Sequence, residues 1–310
     1  MTDSAEKAGT PLPPRSLNEL REVVENGRRG DGDIRLGKRS LKILEGMLAR
    51  PEEVTLGSIS AIARQHDVSP STLSRLAQRL GFEGFKSFQQ LFRLDIARSR
   101  HFYTEQAQRL VDGDAGTSEG SVDGTHPGLA AAEQELRNVA DTLAGLDADD
   151  LAAVRDRLLR SGRLYVLGLR GCYSVAHYLG YYLGFISRSV VTLGASGFTL
   201  AEEMSDIGPD DTLVAITVRP ETRLTVDACR FAAESGATVV TMTNHHGSPV
   251  RAFGDFNIHA QCEGPHYFNP VASLFVVAEM LLAEIAATLG EDLIDPLKRR
   301  EAAFEALGTE

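Results

Sequence analysis

The chain has 310 residues, 43% hydrophobic and 24% charged, with a formal net charge of −11. That length allows two domains or one large one, and the composition is that of an ordinary soluble globular protein. The acidic balance argues against a whole-molecule, nonspecific binder of nucleic acid.

The opening stretch MTDSAEKAGTPLPP is polar and proline-bearing, without the apolar core of a signal peptide, and residues 1–16 read as a disordered arm. No apolar run is expected to approach a membrane span, because charges interrupt each one. Cys172, Cys229 and Cys262 lie far apart with no CxxC spacing, which points away from a disulfide framework or a structural zinc. The expectation is a cytoplasmic protein with no membrane partner and no cofactor.

From Leu17 to about residue 110 the apolar residues recur three and four apart, which predicts a helical domain. Charge is uneven along it. Between Lys38 and Arg100 eleven basic residues face six acidic ones, a local charge of +5 that leaves −16 for the rest. A basic module joined to an acidic body fits a chain of which one part meets a polyanion.

Within the basic module, LGSISAIARQHDVSPSTLSRLAQRLGF (56–82) predicts two short helices. Leu56, Ile59, Ile62 and Ala63 are expected to share one face of the first. HDVS is a tight connection, Ser69 an N-cap and Pro70 the first residue of the second helix. Leu73, Leu76, Ala77 and Leu80 form its buried stripe, and Gly81 ends it. The outer face then carries Ser71, Thr72, Ser74, Arg75, Gln78 and Arg79. With Ser69 these are the candidate DNA contacts, since such a helix fits the major groove and arginine bonds guanine bidentately. The alternative on these residues alone is a bundle hairpin with a solvated polar face.

Residues 111–128, VDGDAGTSEGSVDGTHPG, lack periodicity and predict a flexible linker. Beyond it, helices near 129–145 and 148–161 lead into the strand RLYVLGL. Strand and helix then alternate: helix 173–186, strand SVVTL, a helical turn near 198–206, strand TLVAITV, helix 222–235, strand ATVVTMT, strand DFNIHA and an apolar helix 270–289. Such alternation requires right-handed crossovers and a mostly parallel sheet covered on both faces. The fold class expected is an all-α helix-turn-helix domain joined to an α/β doubly wound domain with a five-stranded parallel sheet, over 129–290, and a C-terminal tail over 291–310.

ARPEEVTLGSISAIARQHDVSPSTLSRLAQRLGFEGFKSFQQLF resembles the N-terminal domain of the RpiR family of bacterial transcription regulators, and LGFEGFKSF is its most distinctive part. The resemblance covers about 17–100 there and 129–290 in a C-terminal sugar isomerase (SIS) domain of flavodoxin-like topology. It implies that the helix starting at Pro70 reads DNA. It also implies a ligand site made of a glycine-and-serine loop after the first strand and an SxSGxT loop after a later one. GLRGCYS (168–174) and TVRPET (217–222) stand there. Thr217 and Thr222 match the outer hydroxyls of the second loop, and Gly168, Gly171 and Ser174 partly match the first. Arg219 and Pro220 replace the central serine and glycine, and Arg170 stands where a small residue is usual.

In a sheet of order 2-1-3-4-5, ligands bind outside the carboxyl ends of the first and third strands. Arg170 and Arg219 each follow one of those ends, so the site is read as an arginine clamp for a small anionic metabolite, a carboxylate or a sugar phosphate. The candidate ligand residues are Arg170, Gly171, Ser174, Thr217, Arg219 and Thr222. The competing reading pairs the two arginines with Glu202, Glu203 or Glu221 at the surface. Glu202, Glu203, His245, His246 and His266 could supply the base of a sugar-phosphate isomerase, but no spacing singles one out. His259, Cys262 and His266 match no standard metal set. The expectation is a regulator with an operator DNA partner and a small-molecule effector, not an enzyme. It is also expected to be a homodimer or tetramer, with the apolar helices 173–186 and 270–289 as candidate contacts. The alternative is a sugar-phosphate isomerase with an accessory helical domain.

Overall fold

The computed structural model describes residues 12–30, 34–111, 126–187, 189–194, 199–264 and 266–308. Most of the expected N-terminal arm and linker falls outside them. By internal contacts the chain divides into two compact units, Met1–Phe102 and Tyr103–Glu310.

The first unit is helical. Its elements are α1 (Leu17–Arg29), α2 (Lys38–Ala49), α3 (Pro51–Leu56), α4 (Ile59–Gln65), α5 (Pro70–Arg79) and α6 (Phe85–Val111), the last running into the second unit. Each start has a local cause. Ser16, Ser58 and Ser69 turn their hydroxyls onto backbone amides three residues on, and Pro51 and Pro70 supply the φ that a first turn needs. Leu44, Met47, Ile62, Leu73, Leu80, Phe88 and Phe92 are fully buried in one core. In LGFEGFKSF, Gly81 takes φ +87° to leave α5. Phe82 and Phe88 then meet edge to face at 5.4 Å, and Ser87 closes onto Gly84 at the start of α6.

Leu56 departs from expectation. It ends α3 instead of joining α4, and its side chain is 86% exposed. The chain breaks at Gly57, and Ser58 caps α4, so the amphipathic stripe begins only at Ile59. Gln89 is buried; its amide donates to the carbonyls of Val54 and Gly57 and closes the end of α3.

The second unit runs α7 (Pro127–Gly145), α8 (Ala148–Arg160), β1 (Leu164–Gly168), α9 (Tyr173–Ile186), β2 (Val190–Leu193), α10 (Leu200–Met204), β3 (Thr212–Thr217), α11 (Arg223–Glu234), β4 (Thr238–Thr243), β5 (Phe256–His259), α12 (Ala272–Leu289) and α13 (Ile294–Leu307). The sheet order is β2-β1-β3-β4-β5 and every pairing is parallel. Every residue of β1 and β3 is buried, because helices cover both faces. Leu164, Val166, Val214 and Ile216 point into a core with α8, α9 and α12. Tyr165, Leu167, Leu213 and Ala215 point into a second core containing residues of α10 and α11.

Two details differ from the sequence reading. The helical run Ala272–Leu307, which begins with α12, is long and apolar enough by composition to cross a membrane, contrary to the expectation that no run approaches a span. Its apolarity serves packing: Leu274, Val277, Ala278 and Leu281 are wholly buried in the core shared with the sheet. Residues 291–310, expected only as a tail, contain α13, whose Phe304 meets Phe185 and whose Arg300 lies over the same ring. Part of the aromatic surface of α9, a candidate subunit contact, is thus covered by the chain itself. Tyr181 remains 48% exposed and Tyr182 40%.

Candidate functional site

The first candidate is the outer face of α5. Ser69 accepts from the Thr72 amide and also bonds the hydroxyls of Ser71 and Thr72, so the first turn is a compact hydroxyl cluster. Ser74 donates to the Pro70 carbonyl and Arg75 lies back on Ser71. The side chains of Gln78 and Arg79 are exposed and make no hydrogen bond or ion pair among the described residues. Leu73, Leu76 and Ala77 hold the other face in the core. The turn from α4 is fixed by Asp67 at φ +50°, whose carbonyl accepts from Arg39, and by the Val68 amide on Ala63. All seven predicted residues therefore lie on one accessible helix face or its cap.

The second candidate is the carboxyl end of the sheet. β1 and β3 are neighbours in register, Gly168 opposite Ile216, and the predicted ligand residues fall at the end of β3, in the loops after both strands and in the first turn of α9. After β1 the chain makes a short 3-10 turn, Arg170–Cys172, with Arg170 at φ +57°. Gly168 is required there, since a Cβ would lie 2.4 Å from the Cys172 carbonyl oxygen and 2.7 Å from Ala176. Gly168→Ala is expected to cost on the order of 3 kcal/mol and to lower the melting temperature by about 10 °C. Thermal denaturation followed by circular dichroism checks this.

Arg170 pairs with none of the acidic candidates. Its guanidinium donates to the Tyr103 hydroxyl at 3.0 Å and lies 5.3 Å from the centre of that ring. Gly171 has open space beside it, and Ser174 donates to the Gly171 carbonyl. After β3, Thr217 is buried, the Arg219–Pro220 peptide is cis, and the Arg219 amide donates to Asn244 beyond β4 at 2.9 Å. Thr222 is the N-cap residue of α11, but its side chain makes no capping bond. α9 and α12, which begin at the same end of the sheet, also lack a side-chain cap. Burial pushes the Cys172 thiol up to about 12, so it remains protonated and unreactive beside these loops.

The family model for the helix-turn-helix domain, rpiR family, matches residues 34–99, and that for the SIS domain matches residues 157–288. The chain belongs to the RpiR family of transcriptional regulators. An HTH-type transcriptional regulator of Clostridium perfringens is 23% identical over 71% of this chain and 76% of its own length. The HexR regulator of Pseudomonas aeruginosa is 25% identical over 85% and 90%. Among solved structures, the sugar isomerase domain of an RpiR transcription factor from Sphaerobacter thermophilus has a TM-score of 0.55 at 24% identity, over 57% of this chain and 99% of that one. The Vibrio vulnificus NanR protein, solved with ManNAc-6P, has a TM-score of 0.50 at 19% identity, over 92% and 98%. At these identities the two structures establish the shared fold. The family assignment makes the chain a regulator and not an enzyme, which sets aside the isomerase alternative.

The isomerase-base and metal candidates of this RpiR-family chain are dispersed. Glu203 accepts from Thr199, and His245 accepts from the Gly247 amide. His246 stacks on His259 with centroids 3.9 Å apart, while His266 is buried near Glu135. Thus His259, Cys262 and His266 are not gathered into one set, and no cluster of three metal-type ligands exists among the described residues.

Burial, with His246 and Arg251 adding to it, lowers the His259 imidazole to about 4. An ordinary unfolded histidine titrates near 6.5. The folded form therefore holds His259 neutral where the unfolded chain is already protonated. Its contribution is present above about pH 6.5 and is lost as pH falls toward 4. His259→Gln is expected to flatten that part of a stability-versus-pH profile measured by urea unfolding.

Proposed function

We propose that this regulator binds an operator through the outer face of α5. A small anionic metabolite, held at the carboxyl ends of β1 and β3, then changes the DNA affinity. The observation that carries the effector reading is that two arginine-bearing loops follow the adjacent strands β1 and β3 and lead into the uncapped starts of α9 and α11. First-turn amides and guanidinium groups together favour an anion. Carboxylates and phosphates both satisfy that chemistry, and the ManNAc-6P found with NanR supports a sugar phosphate.

Arg170, Gly171, Ser174, Thr217, Arg219 and Thr222 are the proposed effector contacts. Ser69, Ser71, Thr72, Ser74, Arg75, Gln78 and Arg79 are the proposed DNA contacts. We read the active species as a homodimer in the cytoplasm, since two recognition helices on half-sites about 34 Å apart match a palindromic operator. The exposed Tyr181 and Tyr182 on α9 support a subunit contact there.

A thermal-shift screen of the full chain against sugar phosphates, dicarboxylates and amino acids tests the effector reading. A shift with anions that also alters operator binding is expected. A protein that responds only to neutral compounds refutes it, and a monomer by light scattering at working concentration refutes the dimer.

A further inference from the structure

The first unit carries a cationic stripe that lies outside the recognition helix. α2 opens with GKRSLKIL (37–44), which holds three basic residues and no acidic one. Leu41, Ile43, Leu44, Met47 and Leu48 commit the inner side of this helix to the core. Lys38 and Arg39 stand four and three residues before Lys42, the spacings that make helix neighbours. All three are exposed. None forms an ion pair among the described residues, and Glu45, the next acid on α2, is already held by Arg28 at 2.7 Å. Neighbouring cations without partners repel one another, so the stripe does not stabilise its own helix.

The stripe is fixed against the turn that leads into α5. Arg39 donates through one guanidinium nitrogen to the Asp67 carbonyl at 2.9 Å, and Asp67 stands two residues before Ser69, the N-cap of α5. Further along α2, Gly46 lies against the ring of His66, where a Cβ would sit 2.5 Å from Cε1. These two contacts, at Arg39 and at Gly46, hold α2 on the turn. The cations therefore belong to the end of α5 that enters a major groove. Phosphates border that groove, and lysine and arginine contacts to them fix register without reading sequence. The chain as a whole carries −11, so attraction to DNA has to come from cations concentrated at the docking end.

We propose that Lys38, Arg39 and Lys42 form a phosphate-binding rail that grips the DNA backbone beside the groove entered by α5. This rests on the DNA reading of α5 above: α5 reads bases, and α2 holds the adjacent strand. Asp67 tempers the rail, since its carboxylate adds a negative charge where the carbonyl meets Arg39.

Because phosphate contacts are independent of sequence, a fluorescein-labelled duplex of mixed sequence, about 30 base pairs long, tests the rail by anisotropy over about 50–200 mM KCl. Removing Lys38 and Lys42 together (Lys38→Ala with Lys42→Ala) is expected to lower the slope of log affinity against log salt by about two, and to weaken binding about 10- to 100-fold near 0.1 M salt. Asp67→Asn is expected to act in the opposite direction. Asparagine tolerates the left-handed backbone found there, φ +50°, and losing one negative charge tightens binding about two- to fivefold. A damaged fold does not produce that gain.

An unchanged slope in the double variant overturns the rail, and so does weaker binding at an unchanged slope, which reports a damaged fold. Asp67→Asn binding no tighter than wild type overturns it as well. Each of these results leaves α5 as the reading helix, which Arg75→Ala tests separately. Wild type that binds no duplex even at about 50 mM salt overturns both.

Discussion

Arg75→Ala and Arg79→Ala are expected to weaken operator binding by different routes. Arg75 sits on the second turn of α5 beside the Ser69–Thr72 hydroxyl cluster, at the end that enters a major groove. Its present contact is with Ser71 on its own helix, at 3.3 Å and longer, an arrangement that a guanine edge readily displaces. Loss of a bidentate arginine–guanine pair costs about 1–3 kcal/mol, or roughly 5- to 150-fold, and falls on one base position. Arg79 is the last helical residue and is exposed. On the proposed docking it would meet phosphate, so its loss is expected to weaken all sequences alike and to lower the salt slope by about one. Fluorescence anisotropy against operator and scrambled duplexes, over a salt series, separates the two. Wild-type affinity in both variants would remove α5 as the reading helix. Neither side chain contributes to the core, so the fold is expected to survive either change.

The architecture was largely legible because its signals are local and periodic. Five short strand-like runs separated by longer segments dictate parallel crossovers, and the observed order is β2-β1-β3-β4-β5, as expected. The N-cap at Ser69, the proline after it and the exit at Gly81 are each decided within a few residues. Leu56 was misassigned by trusting periodicity across Gly57–Ser58, where a break and a fresh cap overrule it. What stayed hidden is nonlocal. The hold of Asn244 on the Arg219 amide spans 25 residues, that of Tyr103 on Arg170 spans 67, and that of Asn138 on Glu263 spans 125. No spacing rule encodes such pairs, because the fold brings them together only after the sheet has closed.

The effector loops support the sharper of the remaining expectations. An effector at a hundredfold excess over its Kd stabilises the protein by about 2.7 kcal/mol, a readily measured rise in melting temperature. Arg170→Ala and Arg219→Ala each remove one charge-assisted contact, and such contacts contribute about 1.5–3 kcal/mol. A variant weakened thirtyfold retains less than about 1 kcal/mol of that stabilisation at the same concentration. The two changes differ in what they leave behind. Arg219 anchors its loop through a backbone amide to Asn244, a contact that truncating its side chain does not remove. Arg170 holds a left-handed backbone position and rests on Tyr103, so its replacement also releases that contact. Arg219→Ala should therefore lose the ligand-induced shift, while Arg170→Ala should also lower the unliganded melting temperature. A full ligand shift in the Arg219 variant would show that the backbone amides of the helix starts hold the anion without the clamp.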